Sequence, residues 1–339
     1  MAEQVLDEIL EKIKEEIKMR RIMSCSMTVA LLVVFIMGSV EMVGAAEKFE
    51  IRWGTITAGG AWQVIGAAML EDIKKANPNI TGSCIPSTTT ANALGVHMDK
   101  FNVGFCLTDT MADAWRGEGF FKEHGKLQDL RAVVATYPQA THLVVRADSG
   151  INKIEDLRGK RISPDGRGLS CDLQTQRLLA LYNMSYNDVK VQFLSFTDAA
   201  GNFIDRHLDA LTFITVPLPF APVINVATQV NIKLLSLSEE DIAKLIKFPG
   251  VARYTLPAGL YKGVDYPVHG ICVYSFIFVR KDMPEDVVYA MVKTIDDNLD
   301  NYGNVLVSMK YVTHKGLCAD VGIPYHPGAE KYFRQKGWR

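Results

Sequence analysis

Apolar residues along this chain alternate between a strand-like and a helix-like spacing. Short apolar runs over 80–85 and 103–107 predict strands. The spacing over 61–77 and 90–99 predicts helices that precede each of these runs. With an opening strand over 51–56, the order is a βαβαβ series. It predicts a parallel sheet whose connecting loops lie along one edge.

A second series of the same kind follows after two extended segments over 130–136 and 141–145. The pattern predicts, in chain order, a turn at 156–159, a strand at 161–162, a helix at 173–182, a strand at 191–193, a helix at 198–207, a strand at 210–216, a helix at 223–230 and a strand at 232–237. The chain therefore contains two α/β halves.

A long strand over 268–280 comes late in the chain and precedes a helix over 285–301 with Pro284 at its first turn. Such a strand indicates a return to the first half, so that two strands cross between the halves. The expected organisation is a leader over 1–46, lobe 1 over 47–145, lobe 2 over 146–267, and a return strand with the C-terminal helices of lobe 1 over 268–339.

Each half contains a strand that runs into a glycine-rich turn and a helix start. The first turn is Thr57-Ala-Gly-Gly-Ala61, and the second is Pro164-Asp-Gly-Arg-Gly-Leu-Ser170. Glycine permits a tight turn, and the free amides at the following helix start can hold an anion. Two such turns indicate halves that face each other across a cleft.

Small polar residues follow the strands at the same edge, which suits hydrogen bonding to a small polar solute. The candidate ligand-binding residues are Thr57, Gly59, Gly60, Trp62, Thr88, Thr89, Asn92, Thr108, Asp109, Tyr137, Arg167, Ser170 and Pro217. We expect no cofactor, metal ligand or catalytic residue.

Three of these residues have alternative interpretations. Arg167 can grip a carboxylate in bidentate fashion, or it is a solvated loop residue. Trp62 forms a wall of the pocket, or it packs in the core. Asp109 binds an ammonium group, which would make the ligand an amino acid, or it caps the next helix.

The N-terminal segment has the pattern of an export signal. Basic residues up to Arg21 precede an apolar run over 27–37, and small residues follow up to Ala46. We expect cleavage near Ala45 or Ala46, which would place the mature protein in the periplasm. The amphipathic stretch over 1–18 precedes a complete signal, so translation is expected to start at Met19 or Met23.

Composition excludes some functions. The net charge of −1 provides no general attraction to nucleic acid, and 48% apolar with 22% charged residues is ordinary for a globular chain. Beyond the leader there are five cysteines, without CxxC or metal-ligand spacing. Most are expected to be small buried hydrophobes, although one disulfide stays possible. The five cysteines are Cys84, Cys106, Cys171, Cys272 and Cys318.

Several short strings, in their order along 49–310, carry a family resemblance. Besides the opening strand and Gly-Gly turn, they are Tyr137-Pro138, His142-Leu-Val-Val-Arg146, Asp148-Ser-Gly-Ile151, Asp156-Leu-Arg-Gly-Lys-Arg161, Val216-Pro217, Ile232-Lys-Leu-Leu235, the Pro-x-Gly-x-Tyr string from Pro257 to Tyr261, and Val288-Tyr289. The chain resembles the TAXI family of extracytoplasmic solute receptors, the binding proteins of one class of TRAP transporters.

The resemblance implies an α/β, two-lobed periplasmic binding protein fold, type II-like, with two Rossmann-like lobes and a two-strand hinge. Such a receptor closes on a small organic acid or amino acid and delivers it to the membrane subunits of a TRAP transporter. Known members often bind glutamate or related acids. The second turn departs from the family's usual Gly-x-x-Gly-Ser-Gly-Thr, and it reads Asp165-Gly-Arg-Gly-Leu-Ser-Cys171 here.

Two other functions stay open from the sequence. One is a periplasmic sensor that presents its loaded lobes to a membrane kinase. The other is an enzyme on the same fold, although the histidines show no HExxH spacing and no serine lies in a GxSxG turn. His142 and His269 fall in the crossing strands, where a structural role is expected.

Overall fold

A computed structural model describes residues 11–12, 14–16, 18–19, 48–56 and 60–339. Residues Met1–Lys48 and Phe49–Arg339 form separate units. The described residues between 11 and 19 are helical. The predicted signal, its cleavage site and the translation start at Met23 lie outside the described residues. Within the described part of the chain, no helix combines the length and the apolar character needed to span a bilayer.

The first βαβαβ series forms as the apolar spacing predicts. Its elements are β1 (Phe49–Gly54), α1 (Ala61–Ala76), β2 (Ile80–Ile85), α2 (Thr89–His97), β3 (Val103–Leu107) and α3 (Thr108–Arg116). A long strand, β4 (Leu130–Arg146), then leaves this series.

The second series follows β4. Its elements are β5 (Arg161–Ser163), α4 (Ser170–Ala180), β6 (Lys190–Val191), α5 (Phe196–Ile204), β7 (Ala210–Val216), α6 (Ala221–Gln229), β8 (Ile232–Leu234), α7 (Glu239–Leu245) and β9 (Ala252–Leu256). The chain returns along β10 (Val268–Arg280) and ends with α8 (Glu285–Asp297), α9 (Leu299–Val305) and α10 (Pro327–Gln335).

One mixed sheet joins both series, with the strand order β2-β1-β3-β10-β4-β7-β5-β6. The strands β4 and β10 are antiparallel and pair from Cys272 opposite Ala140 to Arg280 opposite Leu130. The second half of β4 then pairs with β7 and β8, and the first half of β10 pairs with β9. Two strands therefore connect two lobes: lobe 1 contains β1–β3, and lobe 2 contains β5–β9.

The fold class predicted from the sequence is confirmed. The lobe boundaries proposed at 145 and 267 stay predictions. Element ends differ by a few residues from those expected, which is usual for helix and strand ends.

The structure differs from the predicted elements in three places. The two extended segments around Pro138 are one strand, because register shifts near Ala140 and Tyr274 accommodate the proline within β4. The helix predicted over 285–301 breaks at Asn298, whose side-chain amide donates to the carbonyl of Thr294 (2.9 Å). The short elements α7 and β9 carry no pattern that predicted them.

A large apolar core extends through both lobes, and a second cluster covers the other face of the lobe 2 sheet. In lobe 1 the ring of Phe105 stacks between Trp53 (5.3 Å) and Trp62 (5.6 Å).

The five cysteines beyond the leader are unpaired in the described structure; four are buried and Cys84 is partly buried. Burial raises the pKa of the Cys84 thiol to about 11 and that of Cys272 to about 12. These thiols therefore stay protonated at neutral pH and pack as small hydrophobes.

Candidate functional site

The first turns of α3 and α4 meet at the boundary between the lobes. Asp109 of α3 is 1% exposed, and its Oδ2 accepts a hydrogen bond from the Ser170 hydroxyl of α4 (2.5 Å). The side-chain amide of Gln174, one turn further along α4, donates to the same oxygen (3.0 Å). The structure thus brings Asp109 and Ser170 together, each from a different lobe.

Local contacts fix Asp109 at the start of α3. Its Oδ1 accepts from the backbone amide of Thr110 (2.7 Å), although the N-cap position itself belongs to Leu107. The hydroxyl of Thr108 donates to the carbonyl of Gly250 and accepts from the amide of Tyr274 (3.1 Å). The loop around Gly250 therefore holds the start of α3 from the side of lobe 2.

The glycine-rich turn before α4 contains a carboxylate of its own. The amide of Gly168 donates to Oδ2 of Asp172 (2.7 Å), and the Tyr186 hydroxyl donates to Oδ1 of the same residue. This glycine amide is therefore engaged within lobe 2. Asp165 in the same turn has a left-handed backbone (φ 79°), and burial raises the pKa of its carboxyl.

The structure does not place Arg167 with Asp109 and Ser170. Arg167 is exposed, and its guanidinium lies over the ring of Phe193, 4.7 Å from the centroid. A ligand role would require this side chain to leave Phe193.

In lobe 1 the predicted turn residues lie at two helix starts. Gly60 is the N-cap of α1, and Thr57 and Gly59 lie outside the described residues. Thr88 caps α2 by accepting from the amide of Ala91 (3.3 Å), and Thr89 begins that helix partly buried.

Asn92 is buried in the same region. Its side-chain amide donates to the carbonyls of Thr55 (2.7 Å) and Phe105 (3.0 Å). Asn92 therefore ties α2 to the ends of β1 and β3.

Trp62 and Tyr137 meet around Ser275 of β10. The indole N–H of Trp62 donates to the Ser275 hydroxyl (2.7 Å), and Trp62 is 4% exposed. Burial raises the pKa of the Tyr137 hydroxyl, and hydrogen bonds with Ser275 and Trp62 act in the opposite direction. These contacts give Trp62 the core-packed arrangement considered from the sequence.

In lobe 2, Pro217 follows β7 and is partly buried. Two residues earlier, the hydroxyl of Thr215 lies 3.3 Å from the thiol of Cys171 in α4. The carboxyl end of β7 therefore adjoins the start of α4.

Two contributors to the lobe boundary were missing from the predicted set: Gln174 and Gly250. Gln174 has a sequence signal, because it is four residues after Ser170 and so shares its helix face. Gly250 has none, since a single glycine does not indicate which helix its backbone contacts.

The two α/β lobes and the two strands that connect them form the two-lobed periplasmic binding protein fold. The chain is similar in structure to the periplasmic aliphatic sulphonate binding protein SsuA from Escherichia coli, with 15% identity over 84% of this chain and 78% of that one and a TM-score of 0.50.

Two further solved structures are similar at lower TM-scores. The alkanesulfonate-binding protein SsuA from Xanthomonas axonopodis pv. citri, bound to MOPS, is 17% identical over 86% of this chain and 85% of that one (TM-score 0.47). A TctC solute binding protein from Polaromonas is 17% identical over 79% and 87% (TM-score 0.49).

The family follows from the sequence itself. A model of the NMT1-like family matches residues 53–337, and the chain belongs to that family.

Proposed function

We propose that this protein is an extracytoplasmic solute receptor that closes on a small carboxylate, either a glutamate-like amino acid or a dicarboxylate. It then delivers this ligand to the membrane subunits of a TRAP transporter. The observation that carries the proposal is the meeting of two α/β lobes at Asp109 and Ser170, with β4 and β10 as the two connections between them.

Closure would work through differential affinity. A ligand that contacts both lobes binds the closed form more tightly, and it therefore shifts the population toward that form. Rotation about the two antiparallel strands moves the helix starts together. Family membership and the fold support a receptor, and the resemblance to TAXI proteins supports the carboxylate class and the TRAP partner.

Ligand-induced stabilisation tests this function. The chain from residue 47 would be unfolded and refolded to remove carried-over ligand, then heated with amino acids, dicarboxylates, 2-oxo acids, aromatic acids and aliphatic sulfonates. A ligand at a thousand times its Kd adds about 4 kcal/mol, which raises the Tm by several degrees.

A shift with one carboxylate class, and recovery of that ligand unchanged after incubation, supports a receptor. A shift with the sulfonates alone contradicts the carboxylate assignment. No shift with any compound on folded protein, or conversion of the ligand to a product, contradicts the receptor function.

A further inference from the structure

Two helices from different lobes present complementary side chains to each other. On α4, Ser170, Gln174 and Arg177 follow helical spacing and share one face. On α3, Asp109 and Asp113 are one turn apart. The bonds from Ser170 and Gln174 to Asp109 show that these faces lie side by side.

The arginine of this face packs against a residue of its own lobe. The guanidinium of Arg177 lies over the ring of Phe248, 4.4 Å from its centroid. Burial lowers the pKa of Arg177, and the charges of Asp109 and Asp113 act in the opposite direction. A second arginine, Arg116, contacts Asp113 within lobe 1 (3.1 Å). Each of these contacts stays within one lobe, so the hydrogen bonds to Asp109 carry the connection between the lobes.

Separation of the lobes would disrupt this arrangement as a whole. Asp109 is almost fully buried and Gln174 is 0% exposed, so both would have to exchange protein partners for water. Hydrogen bonds to an ionised carboxylate are stronger than those between neutral groups. The arrangement therefore favours the closed form without any contribution from a solute.

We propose that Asp109, Ser170 and Gln174 form a clasp between the lobes that holds the ligand-free protein closed. Gln174 is then a positioning residue for closure. The clasp depends on the proposed function in one respect, because it assumes that the lobes open and close when the receptor works.

The radius of gyration of the ligand-free protein in solution tests the clasp. We expect the wild-type chain from residue 47 to match the radius calculated from the described residues of Phe49–Arg339. Gln174→Ala removes one charge-assisted hydrogen bond, so the ratio of closed to open molecules should fall about tenfold and the radius should rise.

The matched control is Gln176→Ala. Gln176 lies on the same helix but is exposed, and it donates to Asp172 within lobe 2 (3.0 Å). Its replacement should leave the radius unchanged. Ser170→Ala provides a second clasp variant if Gln174→Ala does not fold, and urea unfolding checks that each variant keeps a folded core.

Two results would overturn the clasp. One is a wild type already larger than the closed radius without ligand. The other is a folded clasp variant that stays as compact as the wild type. Because no solute is present, either result leaves the proposed receptor function to its own ligand screen.

Discussion

At the residue scale, His142 shows how burial fixes a tautomer. Its Nδ1 faces the carbonyl of Ala140 (2.9 Å), so this nitrogen carries the proton and donates. Its Nε2 accepts from the hydroxyl of Tyr261 (2.7 Å), which in turn accepts from the amide of Phe220 (2.8 Å). The network joins β4, the loop at Tyr261 and the start of α6, and it requires a neutral imidazole.

This requirement predicts a pH dependence of stability. Burial lowers the pKa of His142 to about 4, whereas an unfolded histidine titrates near 6.5. The unfolded chain therefore takes up a proton first as the pH falls, and the folded state loses stability. Between pH 7 and pH 5 the loss from this one group should be about 2 kcal/mol.

Urea unfolding at both pH values measures the effect. His142→Gln should lower the free energy of unfolding at pH 7 but remove this part of its decrease toward pH 5. The exposed His269 provides the control, since His269→Gln should keep the wild-type pH dependence. An unchanged pH dependence in His142→Gln would contradict the assigned network.

Arg167 is the second residue-scale test. If it leaves Phe193 to grip a carboxylate, Arg167→Ala should weaken binding of the ligand found in the screen at least tenfold, as expected for a lost charged hydrogen bond. Arg158→Ala is the control, because Arg158 is exposed in lobe 2 and pairs with Asp188. Equal affinities for both variants, measured by calorimetry, would remove Arg167 from the site.

At the element scale, the start of α3 depends on one glycine. Gly250 has a left-handed backbone (φ 78°), and a Cβ there would lie 2.3 Å from the carbonyl oxygen of Thr108. Gly250→Ala should therefore combine backbone strain with a clash against main chain. The expected loss is more than about 2 kcal/mol in the free energy of unfolding.

Gly259 separates these two effects. It has nearly the same φ (75°), but a Cβ there would meet no described atom within 4 Å. Gly259→Ala should cost only the strain, about 1 kcal/mol. Equal losses in urea unfolding would mean that the 246–251 loop moves away from α3 without penalty.

The same scale shows what the sequence can predict. Apolar spacing located β2, β3, β7 and β10 at their observed ends, because each is a run rich in apolar residues with clear boundaries. It also brought Asp109 and Ser170 into the candidate set, since both follow strands at one sheet edge. It could not find the contact of Gly250 with Thr108, because backbone packing between distant segments leaves no local pattern.

At the scale of the whole molecule, β10 lies between β3 and β4 in the sheet, although more than half of the described chain separates it from β3. Lobe 1 therefore has a gap in the middle of its sheet until residues 268–280 exist. Lobe 2, in contrast, gains β5, β6, β7 and β8 from a continuous stretch of chain. During synthesis, lobe 1 must wait for its central strand while every residue of lobe 2 has already been made. The position of one strand thus means that the sheet of the first lobe in sequence cannot be completed until residue 280 has been made.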